Sequence, residues 1–227
     1  MPTLGLIGSG HIGGTLAQLA IDGGLDVVIS NSRGPDTLSD LVDELGPHAR
    51  AATPTQAAAA GDWVVVTIPV GAIGTIPGAP LVGKTVIDTG NYFAPRDGII
   101  PELESHELAD SELLQRHLTA AHVVKAFNNI HYPHLRALPR PMGAPDRTAL
   151  PIASDHPSAT RRAAQLLSLL GYDSVDMGPL AESWRSQVGT PVFCAPYAIT
   201  KDGQYRTQPA APASAAEIRA ALAAAHR

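Results

Sequence analysis

Short apolar runs alternate with segments of helical periodicity along most of the chain, which predicts alternating strands and helices. The run at 63–68 is the clearest strand signal, because it is continuously apolar and β-branched, as in strands covered on both faces. Strands are predicted at 4–7, 26–30, 50–52, 63–68, 85–88, 122–127, 149–153 and 173–177. Helices are predicted at 12–20, 37–45, 54–60 and 157–170, and from residue 214 onward.

This order of elements predicts an α/β fold with a Rossmann-type, doubly wound, mainly parallel sheet that two further strands extend. After residue 178 the composition shifts to Gly, Pro and Ala, and the stretch at 201–212 is predicted to be weakly ordered. We therefore predict a main domain at 1–178 and a small C-terminal helical cap at 179–227.

A glycine turn follows the first strand directly and opens the first helix. It consists of Gly8, Ser9, Gly10, His11, Ile12 and Gly13. Gly8 permits a tight turn, Gly10 lets a pyrophosphate approach bare backbone, and Gly13 lets the helix pack close to the strand. The helix N-terminus adds N–H donors and a positive dipole end. The sequence therefore predicts that this turn binds a dinucleotide.

The end of the second strand indicates which dinucleotide is bound. NAD sites place an acidic residue here to hold the ribose diol, whereas this chain has Asn31, Ser32 and Arg33. Their amide, hydroxyl and guanidinium groups donate to phosphate oxygens, and a guanidinium can bind them bidentately. The sequence therefore predicts NADP(H), held by the main domain. A polar turn ahead of a helix is the alternative interpretation of the same residues.

Loops after the later strands should line the nicotinamide half, because parallel strands end at one edge of the sheet. Ile68, Pro69 and Val70 predict an apolar wall for the ring. Asn91 and Asn128 offer donors and acceptors to a carboxamide or a substrate. The same amides could instead satisfy backbone groups of their loops, so both interpretations stay open.

The sequence assigns no catalytic residue and no metal ligand. There is no G-x-S-x-G nucleophile elbow, and Cys194 has no adjacent base. Hydride transfer between two stacked rings needs mainly that donor and acceptor carbons are held together. Reduction of a carbonyl or imine would benefit from a proton donor, for which Lys125, Tyr92 and Asp88 are the central candidates. Lys125 and Asp88 lie inside strands and also suit a paired structural role.

Composition and charge exclude several classes of function. The net charge of −5 lacks the basic excess that nucleic-acid binding needs. A single cysteine excludes an intrachain disulfide, and no apolar run approaches the roughly 20 residues that cross a bilayer. We expect a cytoplasmic protein with no nucleic-acid and no membrane partner.

These motifs resemble the NADPH-dependent coenzyme F-420 reductase family, in particular its bacterial branch. The resemblance is carried by residues 7–13, 30–35, 67–69, 123–128 and 176–180. It implies hydride transfer between NADP(H) and a small-molecule co-substrate, the 8-hydroxy-5-deazaflavin coenzyme F-420, and it implies a homodimer. The site residues that it implies are Ser9, His11 and Ile12 at the pyrophosphate, Asn31, Ser32 and Arg33 at the 2′-phosphate, and Pro69 with its neighbours at the nicotinamide.

Two other functions remain open. The chain could be an NADPH-dependent reductase of a small carbonyl or imine. It could also be a redox sensor that binds NADP without turnover, because a fold and a cofactor site do not by themselves establish chemistry.

Overall fold

The computed structural model describes residues 1–201 and 204–227. At its centre lies a parallel six-stranded sheet in the order β3-β2-β1-β4-β5-β6. The strands are β1 (Thr3–Ile7), β2 (Asp26–Ser30), β3 (Ala49–Ala51), β4 (Trp63–Val66), β5 (Thr85–Asp88) and β6 (His122–Lys125). The strand order reverses between β1 and β4, which opens a crevice at their carboxyl ends. The predicted fold class is confirmed.

Helices cover both faces of this sheet. They are α1 (His11–Asp22), α2 (Ser39–Leu45), α3 (Pro54–Ala60), α4 (Ala94–Asp97), α5 (Pro101–Glu104), α6 (Asp110–His117), α7 (Tyr132–Ala137), α8 (Pro157–Leu169) and α9 (Ala215–Ala223). Because both faces are covered, Val65 of β4 packs into one apolar core while Val64 and Val66 pack into the other. This burial on both sides explains why the strand is apolar throughout.

Several element boundaries differ from those predicted. Strands β4 and β6 end two residues earlier, because Thr67 turns its hydroxyl to Gly8 and Phe127 adopts a left-handed backbone with φ of 61°. Residues Pro35–Leu38 form a 3-10 helix ahead of α2. The short helices α4 to α7 were not predicted. Apart from α6 they begin with a proline in the first turn, and none is long enough for clear periodicity.

The two additional strands are present as β7 (Ala149–Ile152) and β8 (Asp173–Asp176), a parallel pair connected through α8. One antiparallel bridge, between Lys125 and Ala153, joins this pair to the end of β6. The Lys125 N–H donates to the Ala153 carbonyl at 2.9 Å, and the reverse bond measures 3.2 Å.

The chain after β8 runs through two 3-10 helices, Leu180–Ser186 and Ala195–Tyr197, and ends with α9. Its apolar residues Tyr197 and Ile218 share the core of α1 and α8, and the division at residue 178 stays a prediction. Of the stretch predicted to be weakly ordered, residues 202–203 lie outside the described residues. Within the described ranges no helix has the length and apolar character needed to span a bilayer.

Candidate functional site

The glycine turn has the backbone geometry that the sequence predicts. Gly8 has a φ of 118°, and its N–H donates to the Ser30 carbonyl at 3.0 Å. A Cβ on Gly13 would lie 2.3 Å from the Gly8 carbonyl oxygen. A side chain at Gly13 would therefore push α1 away from the turn, whereas glycine allows the close helix packing.

The N-terminus of α1 is open at Gly10. A Cβ built there meets no atom of residues 1–201 or 204–227 within 4 Å, and no side chain in those ranges caps the helix. Ser9 is half-buried, His11 is exposed, and Ile12 packs against the larger core. The turn therefore leaves room for a ligand against bare backbone, which is the arrangement that a bound pyrophosphate requires.

A cleft of about 640 Å³ leads from this turn along the outer face of α1. Its lining comes from α1, α2 and α7, and includes Ser9, Gly10, His11, Gly14, Tyr132 and Arg136. The ring of His11 stacks on Tyr132, with centroids 4.4 Å apart and planes 8° from parallel. Sequence reasoning missed Tyr132 as a neighbour of the turn, because α7 is distant along the chain.

Of the three predicted phosphate ligands in the loop after β2, Asn31 bonds within the turn, whereas Ser32 and Arg33 face solvent. Asn31 Oδ1 accepts from the Arg33 N–H at 2.9 Å, and Asn31 Nδ2 donates to Thr37 Oγ1 at 2.9 Å. These bonds build the turn, as the alternative interpretation expects of a polar turn residue. Ser32 and Arg33 are exposed, and the Arg33 guanidinium makes no hydrogen bond or ion pair within the described residues. It is therefore available to an anion.

The predicted apolar wall after β4 is only partly at the surface. Pro69 is exposed and Ile68 is half-buried, whereas Val70 is 3% exposed and belongs to the second core. Val70 lies directly beneath Gly90, where an added Cβ would meet its Cγ2 at 3.3 Å. The wall that a ring could contact is thus formed by Ile68 and Pro69.

Asn91 and Asn128 are brought together, and they bond to each other. Asn91 Nδ2 donates to the Asn128 carbonyl at 2.8 Å, and Asn128 Nδ2 lies 3.1 Å from Asn91 Oδ1. Asn128 also donates to the Ser186 carbonyl at 2.8 Å. These amides join the loops after β5 and β6 to the C-terminal segment, which fits the interpretation that they satisfy loop backbone.

Two residues other than glycine have a left-handed backbone near the end of β6, one in the loop that follows the strand and one in the C-terminal segment that bonds to that loop. Phe127 and Cys194 each have a φ of 61°, and both are buried. The Cys194 N–H donates to the carbonyl of Asn129 at 2.8 Å. Such conformations are costly and cluster at functional sites. The sequence does not predict these two left-handed conformations, because phenylalanine and cysteine rarely adopt such a backbone.

The three candidate proton donors all have protein partners. Tyr92 Oη lies 2.8 Å from Glu104 Oε1 and accepts from the Ile100 N–H at 3.1 Å. Lys125 is fully buried, with its Nζ 3.4 Å from Asp88 Oδ2. This arrangement is the paired structural role that the sequence left open. No cluster of three His, Cys, Asp or Glu side chains is placed to hold a metal in the described part of the chain.

Comparison with known proteins connects this geometry to a family. Residues 3–92 match the family described as NADP oxidoreductase coenzyme F420-dependent. The structure of SMa0349, a hypothetical protein from Sinorhizobium meliloti, is 31% identical with a TM-score of 0.74, and the match covers 85% of this chain and 93% of that one. Residues 3–92 thus resemble the F420-dependent NADP oxidoreductase family, and over most of its length the chain is similar to SMa0349.

Two further proteins are similar to this chain. A protein from Arthrobacter sp. FB24, assigned as an F420-dependent NADP reductase, is 25% identical with a TM-score of 0.67, over 81% of this chain and 87% of that one. Metalloreductase STEAP3 of Rattus norvegicus is 28% identical over 184 residues, which is 80% of this chain and 35% of that protein. The chain spans less than two fifths of the length of the curated relatives it matches.

Proposed function

We propose that this chain is an NADP-dependent oxidoreductase that moves a hydride between NADP(H) and an 8-hydroxy-5-deazaflavin or a similar acceptor. The observation that carries the proposal is the combination of an open Gly10 with an exposed Arg33, on the neighbouring loop, that has no hydrogen-bond or ion-pair partner among the described residues. Open backbone at a helix N-terminus suits a pyrophosphate, and a free guanidinium suits the additional 2′-phosphate of NADP(H).

The residues at this edge of the sheet divide the work of binding. Gly8 and Gly13 shape the turn, and Ser9, Gly10, His11 and Ile12 form its surface toward the pyrophosphate. Ser32 and Arg33 would hold the 2′-phosphate on the turn that Asn31 builds. Ile68 and Pro69, with Val70 beneath them, would border the nicotinamide, while Asn91 and Asn128 fix the adjoining loops. NADP(H), when bound, supplies or receives the hydride.

The hydride acceptor is inferred from the absence of a free proton donor among the candidate residues of the crevice and from the family name. Lys125, Asp88 and Tyr92 are all held by protein partners, whereas reduction of a carbonyl or imine usually uses a placed proton donor. Transfer between two stacked rings needs positioning more than acid catalysis, which favours a deazaflavin co-substrate. The resemblance further leads us to propose a cytoplasmic homodimer of the family's bacterial branch.

Nucleotide titrations of an Arg33→Ala variant test the nucleotide half. We expect calorimetry to show NADPH binding weakened by about 1.5 to 3 kcal/mol, the scale of hydrogen bonds to charged groups, with NADH binding little changed. Arg50→Ala removes an exposed arginine from the edge strand β3 and should change neither affinity. An equal loss for both nucleotides in the Arg33 variant would contradict the assignment.

Absorbance of the reduced nicotinamide tests the acceptor. Oxidation of NADPH only when a deazaflavin is present supports the proposal. Oxidation with a small carbonyl or imine would instead identify a reductase of that substrate, and tight binding without any turnover would identify a sensor.

A further inference from the structure

Three buried charges meet beneath the loop that follows β5. Lys125 is 0% exposed, and Asp88 and Asp110 are each 4% exposed. Lys125 Nζ lies 3.4 Å from Asp88 Oδ2 and 4.0 Å from Asp110 Oδ2. Burying ionised groups is costly, and apolar side chains of similar volume often give equal stability. Stability alone is therefore a poor explanation for this cluster.

The three charges converge on the backbone of one loop. Lys125 Nζ donates to the Gly90 carbonyl at 2.5 Å, and Asp88 Oδ1 accepts from the Gly90 N–H at 2.8 Å. Asp110 Oδ2 accepts from the Tyr92 N–H at 3.0 Å. The carbonyl and the N–H of Gly90 and the N–H of Tyr92 are thus all hydrogen-bonded to these buried side chains.

The loop held in this way contacts both neighbouring loops of the crevice. Gly90 lies over Val70, which follows β4. The next residue, Asn91, donates from its amide to the Asn128 carbonyl, which follows β6. A shift of Gly90 would therefore move its contact with Val70, beneath the apolar wall, together with the amide bridge.

We propose that Lys125 and Asp88 are positioning residues for the nicotinamide half of NADP(H), acting through the backbone of Gly90 and the side chain of Asn91. This inference rests on the proposed function, since it assumes that NADP(H) binds across the crevice. The two residues do not touch the nucleotide. Ser111 supports the pair, because its hydroxyl donates to Asp88 Oδ2 at 2.7 Å.

Two ligands distinguish binding at the nicotinamide half of the site from binding at its adenosine half. NADP⁺ carries both halves, whereas adenosine 2′,5′-bisphosphate carries only the adenosine with its 2′- and 5′-phosphates and lacks the nicotinamide half. In the Lys125→Met variant we expect calorimetry to show NADP⁺ bound about fivefold more weakly or worse, the scale of coupling through positioning networks. Affinity for the bisphosphate should stay within about twofold of wild type, because Arg33 and the glycine turn are unchanged.

Lys84 provides a matched control. Its Nζ also donates to three backbone carbonyls, those of Ala58, Ala59 and Gly61, at 2.8, 2.7 and 2.9 Å. Lys84 immediately precedes β5 and so lies at the opposite, amino end of the sheet. Lys84→Met should therefore lower the Tm while leaving the affinities for both ligands unchanged.

A double variant separates positioning from stability. Adding Asp88→Asn to Lys125→Met removes the nearer of the two carboxylates that would otherwise stay buried without their cation, so the Tm should recover in part. The Gly90 carbonyl still lacks the Lys125 donor, so NADP⁺ affinity should remain low and amide hydrogen exchange at Gly90 should be faster than in wild type. If Lys125→Met alone does not fold, the double variant carries the same ligand comparison.

The outcomes distinguish the two proposals. If wild-type protein binds neither ligand, the proposed function fails and the positioning role fails with it. If wild type binds both, but the Lys125 variants weaken both ligands equally or neither, only the positioning role is overturned. Recovery of NADP⁺ affinity together with the Tm in the double variant would also overturn it.

Discussion

Thr67 donates its hydroxyl to the carbonyl of Gly8, with Oγ1 2.9 Å from the oxygen. This bond joins the carboxyl end of β4 to the turn after β1, across the point where the strand order reverses. A Cβ at Gly8 would lie 2.4 Å from the same Oγ1. The shape of the glycine turn is therefore set by β4 as well as by β1.

Replacing Thr67 with Val keeps the shape of the side chain and leaves this Gly8 contact without a donor. We expect the free energy of unfolding to fall by about 1 kcal/mol, the usual worth of such a bond, and NADP⁺ affinity to fall because the turn loosens. Urea unfolding and calorimetry measure the two effects. Thr67→Ser keeps the hydroxyl and should retain both properties, so an equal loss there would show that the hydroxyl bond to Gly8 does not account for the effect.

Alanine at Gly10 should weaken NADP⁺ binding with little effect on stability, whereas alanine at Gly13 should lower stability. At Gly10 the new Cβ meets no atom within 4 Å in the described part of the chain, and the φ of −73° suits alanine. We therefore expect the free energy of unfolding to change by less than about 0.5 kcal/mol. NADP⁺ binding should weaken about tenfold or more, because the methyl group occupies the open backbone surface. Tight NADP⁺ binding by this variant would contradict the placement of the pyrophosphate.

At Gly13 the added Cβ would lie 2.3 Å from the Gly8 carbonyl oxygen, which is backbone and cannot rotate away. The Gly13→Ala variant should therefore lose about 1 to 3 kcal/mol of stability through overpacking. This loss should appear in urea unfolding without any ligand. A normally stable Gly13→Ala variant would show that α1 can shift away from the strand.

The fold was predictable because its signals are local. Continuous apolar runs identify buried parallel strands, as at β4, and the residues of the glycine turn are contiguous in the chain. The position of Arg33 just after β2 was predictable for the same reason, because it follows from spacing along the chain. These features need no knowledge of which distant residues meet.

The hydrogen bonds within the site were harder to predict from the sequence, because they join residues that are distant along the chain. Asn91 and Asn128 are 37 positions apart and satisfy each other, so their types alone could not separate ligand binding from loop support. Lys125 and Asp88 are equally far apart. Their convergence on Gly90 depends on the register of β5 against β6, which places Asp88 opposite Lys125.

Cys194 should be unreactive in the folded protein. It is 3% exposed, and burial raises the pKa of its thiol to about 12. At pH 8 only about one thiol in 10⁴ would be ionised, and the thiolate is the reactive form. A chromogenic disulfide reagent at pH 8 should therefore label the protein only as urea unfolds it. Rapid labelling of the native protein would show that the segment around Cys194 opens readily.

Glu217 should make the C-terminal helix sensitive to acid. Its pKa is lowered to about 2, first by a hydrogen bond from Lys201 and then by the backbone N–H of Ser214 at the start of α9. Because the folded pKa lies below the usual value, this stabilisation is present above about pH 4.5 and is lost as the pH falls toward 2. The pair is exposed and screened by salt, so about 0.5 to 1 kcal/mol is at stake. Urea unfolding from pH 6 to 2 should show this loss in wild type and a smaller one in Glu217→Gln, while equal slopes would refute it.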